Sequence, residues 1–109
     1  MELAKKKCVP CEVGGVPLLR EEAKTLLAQV HGWNLSADAL HIAKEFIFKD
    51  FAGAMAFAVQ IGKIAETEGH HPDLQVSWGK VGVILWTHAV GGLSENDFIL
   101  AAKIDAIGA

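Results

Sequence analysis

The chain is short of positive charge, of long apolar runs and of cysteine, and each shortage removes a class of function. Ten Lys and Arg against 13 Asp and Glu leave a formal charge of −3 over 109 residues. No large positive field is available to draw in nucleic acid, so a neutral or mildly polar small molecule is the better-matched partner. The apolar stretch Val81 to Trp86 is interrupted by Gly82 and is far too short to cross a bilayer. Lys5, Lys6 and Lys7 are followed by no apolar run, so they do not read as a secretory signal. A soluble, cytoplasmic protein with no membrane partner is expected. The two cysteines, Cys8 and Cys11, make one C-x-x-C around Pro10. A structural zinc site needs four ligands, and a thioredoxin-like pair would open a helix rather than precede a Gly/Pro-rich stretch, so these are read as reduced thiols.

What the chain does have is apolar content, 51% of residues, which is ample for one domain and leaves some to feed a subunit interface. Residues 1–17, with Pro10, Gly14, Gly15 and Pro17, read as an N-terminal arm without regular structure ahead of a single domain over 18–109. From about Arg20, the positions Ala23, Leu26, Leu27 and Val30 follow helical spacing up to Gly32. Trp33–Ser36 and Leu40–Phe48 read as a hairpin turning at Ala37-Asp38, with Leu40, Ile42, Phe46 and Phe48 on one face. Asp50 is a good N-cap for a helix with the stripe Phe51, Ala54, Met55, Ala58, Ile61, Gly62 and Ala65, ended by Gly69.

Leu74, Val76 and Trp78, then Val81, Val83 and Leu85, alternate around Gly79-Lys80 and read as a second hairpin with a Gly-first loop. That register places Trp78 opposite Val81 and, continued outward, His71 opposite His88. Ser94 with Asp97 three residues on, flanked by Leu93 and Phe98 as a hydrophobic staple, starts a last helix carrying Leu100, Ile104 and Ile107. The order α-β-β-α-β-β-α predicts an α+β fold, a two-layer sandwich with a four-stranded antiparallel sheet and its helices on one face. The only repetition is this strand-strand-helix rhythm.

Chemistry concentrates at two places. Glu66, His70, His71 and Pro72 lie at the end of the central helix, and Thr87 and His88 lie at the far end of the last strand. Glu66 and His70 are four apart and would share a helical face, letting the carboxylate orient the imidazole. Pro72 keeps His71 extended and stops the helix. Clustered imidazoles titrate near neutrality and can donate one proton while accepting another, which suits an elimination of water. A zinc centre built from Glu66, His70, His71 and His88 is the rival, but adjacent residues in extended chain point apart and no H-x-H or H-x-x-x-H pair exists. His31 and His41 are assigned ordinary structural roles.

The run Glu66-Thr67-Glu68-Gly69-His70-His71-Pro72, then Trp78, then Thr87-His88-Ala89-Val90-Gly91-Gly92-Leu93-Ser94-Glu95-Asn96-Asp97 resembles the signature of the pterin-4a-carbinolamine dehydratase family. The resemblance extends from about Pro17 to Ile107 and includes Gly32-Trp33, Lys49-Asp50-Phe51 and Asp97-Phe98, while Cys8-Val9-Pro10-Cys11 is similar to the tail of many bacterial members. Thr67, Gly69 and Leu74 stand where members often have a lysine, an acid and an aromatic residue. The resemblance implies dehydration of 4a-hydroxytetrahydropterin, left by aromatic amino acid hydroxylases, to quinonoid dihydropterin and water, without a metal or a cofactor, in a homodimer or homotetramer. It implies His70 and His88 as acid and base, His71 positioning the pterin, Glu66 supporting the imidazoles, and Thr87 and Asp97 as substrate-binding hydrogen-bond partners. The alternative is a non-catalytic dimerisation partner, coactivator or assembly factor of the same fold.

Overall fold

The longest helix is bounded by its two end residues. Asp50 takes extended backbone and its carboxylate accepts the Gly53 N–H at 2.7 Å, while Gly69, at φ 67, supplies the left-handed turn that stops the helix. Between them runs α2, Phe51–Glu68, in a computed structural model that describes residues 3–8 and 15–107. Helix α1 is Arg20–Leu27 and α3 is Glu95–Ile107; the strands are β1 Asn34–Leu35, β2 Ile42–Ile47, β3 Asp73–Ser77 and β4 Lys80–Leu85. All pairings are antiparallel, in the order β1-β2-β4-β3. The α+β architecture read from the sequence is the one observed.

The core lies between one sheet face and the helices. Ile42, Phe46, Val81, Val83 and Leu85 are buried from the sheet side, against Ala54, Phe57, Ile61, Phe98, Leu100 and Ile104 from α2 and α3. The opposite sheet face carries exposed Ile47 and Ile84. The expected α2 stripe is corrected in part. Phe57 is buried and packs on Phe46 and Phe48 with ring centroids 4.7 and 5.1 Å apart, whereas Phe51 and Met55 are exposed. The inward line is Ala54, Phe57, Ala58, Ile61 and Ala65, rotated from the one expected.

The first hairpin is shorter than expected because side-chain bonds join the backbone bond from the Ser36 N–H to the His41 carbonyl, 2.9 Å, in closing a wide turn. Asp38 Oδ1 accepts from the Ser36 hydroxyl at 2.6 Å and the Leu40 N–H at 3.0 Å, and Ser36 Oγ accepts the His41 N–H at 3.0 Å. Those bonds convert residues 36–41 into a loop with Ala39 at φ 62, leaving only two residues for β1. The Ser36 hydroxyl, then the Leu40 N–H, holds the Asp38 carboxyl below its ordinary range.

The second hairpin corrects the expected register by two residues. Ser77 pairs with Lys80, Val76 with Val81 and Leu74 with Val83, so the loop is Trp78-Gly79 rather than Gly79-Lys80. Gly79, at φ 72, occupies the second loop position, and a Cβ there would come within 3.0 Å of the Phe48 carbonyl. A glycine is required by both facts. A shift of two leaves each side chain on its face but moves the ends. Continued outward, the observed register sets Trp86, not His88, opposite His71.

The arm expected to lack regular structure contributes to the core where it is described. Leu3–Lys5 is a single 3-10 turn with Leu3 buried, and Lys103 Nζ donates to the Ala4 carbonyl at 2.8 Å. Cys8 is a half-buried free thiol whose N–H donates to Glu68 Oε1 at 2.8 Å. Burial, then the Glu68 charge, pushes that thiol up to about 12. Cys11 lies outside the described residues.

Candidate active site

At the end of α2, the αL turn at Gly69 swings the chain inward, and His70 leaves the helix axis toward the start of α3. There His70 Nε2 lies 2.6 Å from Asp97 Oδ1, with the imidazole only 11% exposed and the carboxylate fully buried. The other carboxylate oxygen, Oδ2, accepts the Thr87 hydroxyl at 2.8 Å and the Ser94 N–H at 2.9 Å. The Ser94 hydroxyl in turn lies 2.8 Å from Thr87 Oγ1. With Thr87 giving its proton to Asp97, Ser94 is the donor in that contact. Asp97 sits in the first turn of α3, where negative charge meets the exposed N–H ends of the helix. A carboxylate so fixed, acceptor only, matches the His70 tautomer that carries its proton on Nε2.

The expected pairing of Glu66 with His70 is therefore corrected. Glu66 Oε2 lies 2.5 Å from His71 Nε2 instead, and both side chains are well exposed. His70 is drawn to the buried carboxylate of α3, and Pro72 turns His71 back along the surface toward α2. Asp97 and Thr87, expected against the ligand, are also corrected. Thr87 borders the cleft, but its hydroxyl is engaged by Asp97 and Ser94; Asp97 is wholly buried and can reach a ligand only through His70.

On the facing side, Thr87 exchanges backbone bonds with Gly92, its N–H donating to the Gly92 carbonyl at 2.7 Å and its carbonyl accepting at 3.3 Å. Gly92 is pressed so closely that a Cβ would fall 2.7 Å from Pro17 and 2.8 Å from Leu40. The pinned loop carries His88 at the head of the short turn His88–Val90. The His88 ring stacks on Trp86, with centroids 3.8 Å apart and planes 21° from parallel. Trp86 Nε1 donates to Asp73 Oδ2 at 3.2 Å, and His41 meets the indole edge-on at 5.1 Å. Trp86 was missed in the sequence because it closes the apolar run of β4 and reads there as one more core residue.

His70, His71 and His88, with Gly69, Pro72 and Trp86, line one open cleft of about 500 Å³, a size suited to a small molecule. A comparable depression of about 510 Å³ on the open sheet face, bordered by Glu45, Leu74 and Gln75, carries no imidazole. Among the described residues no three His, Cys, Asp or Glu side chains are arranged to hold one metal ion. His70 and His71 are turned to different carboxylates, as adjacent residues in an extended segment must be.

A family model described as "Pterin 4 alpha carbinolamine dehydratase" matches residues 16–107. The chain belongs to the pterin 4 alpha carbinolamine dehydratase family. Within that family it is 49% identical over 104 residues to a protein of Alkaliphilus metalliredigens provisionally named a pterin-4-alpha-carbinolamine dehydratase, covering 94% of this chain and 93% of the other. A protein of Halorhodospira halophila with the same provisional name is 46% identical over the full length of both. The crystal structure of a transcriptional coactivator/pterin dehydratase from Brucella melitensis superposes with a TM-score of 0.81 at 33% identity, covering 85% of this chain and 99% of that one. A pterin dehydratase-like protein described as a RuBisCO assembly factor in the alpha-carboxysome shares the fold, with a TM-score of 0.62 at 24% identity, over 72% of this chain and 92% of that one.

Proposed function

We propose that the protein dehydrates 4a-hydroxytetrahydropterin to quinonoid dihydropterin and water, with histidines moving the protons. The observation that carries this reading is the gathering of His70, His71 and His88 from two chain segments around one cleft, with His70 backed by a buried carboxylate. In the reaction the C4a–O bond breaks as a ring-nitrogen lone pair forms the C=N bond. The departing oxygen takes a proton to leave as water, and the ring N–H gives one up. His70 and His88 are the acid/base pair, and His71, held by Glu66, positions the pterin. His70 suits its part because Asp97 fixes one nitrogen, leaving the other for transfer.

The chemistry needs no metal and no cofactor. On this reading the protein acts after a pterin-dependent aromatic hydroxylase, in cytoplasmic tetrahydrobiopterin recycling. No helix among the described residues is long and apolar enough to cross a membrane. Measuring dehydration of a freshly generated carbinolamine tests the reading, and a purified chain that leaves the spontaneous rate unchanged would sink it.

One observation favours a second role. Phe51, Met55 and Val59 are exposed at successive i, i+4 positions along α2. Such a stripe suits a homodimer or homotetramer, or the non-catalytic dimerisation, coactivator or assembly-factor reading. Sedimentation of wild type and Met55→Glu, with the carbinolamine assay alongside, separates the two: a binding module would lose association and have no activity to lose.

A further inference from the structure

The three imidazoles of the cleft are held in different ways. His70 and His71 each have a carboxylate, whereas among the described residues the His88 ring has its described contact only with the indole of Trp86. His88 is exposed and sits on a short turn ending in Gly91 at φ 69, so its backbone alone leaves the ring free to rotate about χ1 and χ2. Trp86, by contrast, is half-buried and fixed on two further sides, by the Nε1 bond to Asp73 and by the edge of His41. Asp73 directly follows His71-Pro72, and the ladder between β3 and β4 stops at its pairing with Ile84. Beyond that last pair, the Asp73–Trp86 bond continues the connection through side chains and reaches the segment that bears His88.

We propose that Trp86 is the positioning residue for His88: the indole, tied to Asp73, clamps the imidazole face-on and thereby sets its place relative to His70 and His71 across the cleft. Its effect on rate rests on the dehydratase reading above; its effect on the ring does not. Stacked aromatic pairs contribute beyond area burial, and a proton-transfer group displaced by a fraction of an ångström loses rate rather than binding. Trp86 both stacks on His88 and borders the cleft, so the position of the His88 ring, rather than KM, is the readout that isolates the clamp.

The test uses the full-length chain as wild type, Trp86→Leu, Trp86→Phe and Asp73→Ala, each checked for folding by circular dichroism. Proton NMR of the His88 ring, assigned with His88→Gln, reads the clamp directly, since an indole face shifts stacked protons upfield. Trp86→Leu should lose that shift and lose about ten- to a hundredfold in kcat. Trp86→Phe should keep an aromatic face and recover most of both, and Asp73→Ala should fall between. Should Trp86→Leu fail to fold, Trp86→Phe and Asp73→Ala carry the test through the same signals. Unmoved His88 signals in Trp86→Leu overturn the inference, as does a kcat loss that Trp86→Phe does not restore, because a purely structural role would give that pattern. A wild type inactive on the carbinolamine removes the dehydratase reading, and the NMR signals still decide whether the clamp exists.

Discussion

The two sides of the cleft are built on opposite principles. His70 is sunk against α3, its partner Asp97 fully buried and accepting from Thr87 and Ser94 as well, so the imidazole belongs to the framework that holds the fold together. His71 and His88 lie outside, one beside an exposed glutamate and the other on an indole, and neither supports the core. The difference teaches that one imidazole of the cleft can be rigid because the protein needs it for stability, while its neighbours are rigid only through local side-chain contacts. Substitutions on the inner side should therefore change stability and rate together, and those on the outer side should change rate alone.

The largest effect is expected at His70. His70→Gln should lower kcat by about 10²–10⁴, the range of general acid/base contributions, and should also lower the urea midpoint because Asp97 loses its charge-capable partner. A variant at full rate would remove His70 from the proton path. Next comes Asp97→Ala, which leaves the His70 ring, the Thr87 hydroxyl and the Ser94 N–H without their shared acceptor. Stripping one member from such a buried network costs about 3–5 kcal/mol, measurable by urea unfolding. A loss under about 1 kcal/mol would mean that the interior does not depend on this carboxylate, and the contrast between the two sides would collapse.

On the outer side, His71→Ala and His88→Ala should each lose about a hundredfold in rate while unfolding within about 0.5 kcal/mol of wild type. The His71 side chain is 61% exposed, so little of the fold rests on it. An unaffected His88→Ala rate would remove that residue from the mechanism. Glu66→Gln should be milder, a few-fold in rate, because the pair it breaks with His71 is exposed and solvent already screens it.

The same contrast explains what could be read from the sequence. Local signals were legible: Asp50 and Gly69 announced the ends of α2, and Ser94 with Asp97 announced the start of α3. Even the hairpin of β3 and β4 was visible, and its register failed by two residues because Gly79 was assigned the first loop position, whereas its contact with the Phe48 carbonyl holds it in the second. The inner side was harder. Local spacing makes Asp97 a capping residue and the family resemblance makes it a substrate-binding one, and nothing local shows that its other oxygen meets a histidine 27 residues earlier in the chain. Glu66 was assigned to His70 by helical spacing, which ceases to apply once Gly69 turns the chain. Trp86 carried no signal apart from its place at the end of a strand, and its meaning comes from Asp73 and His88 together.

The smallest effect tests how far the inner framework extends behind the cleft. Cys8 packs its Sγ 3.6 Å from the Asn96 carbonyl, next to Asp97, and burial followed by the Glu68 charge raises its thiol from 9.0 to about 12. A raised pKa means that the folded chain keeps the proton after the unfolded chain has released it. The stability contributed by this group is therefore fully present below about pH 9 and declines as the pH rises toward about 12. Comparing urea midpoints of Cys11→Ala with Cys8→Ala/Cys11→Ala, in reductant, should show the parent's advantage at pH 8 shrinking by pH 10. At pH 8 the Cys8 thiol should also react more slowly with iodoacetamide in the folded than in the urea-unfolded chain. An advantage that stays constant across this range would show the thiol to be as free to ionise as in the unfolded chain, and the interior framework would then end at Asp97 rather than at the N-terminal segment behind it.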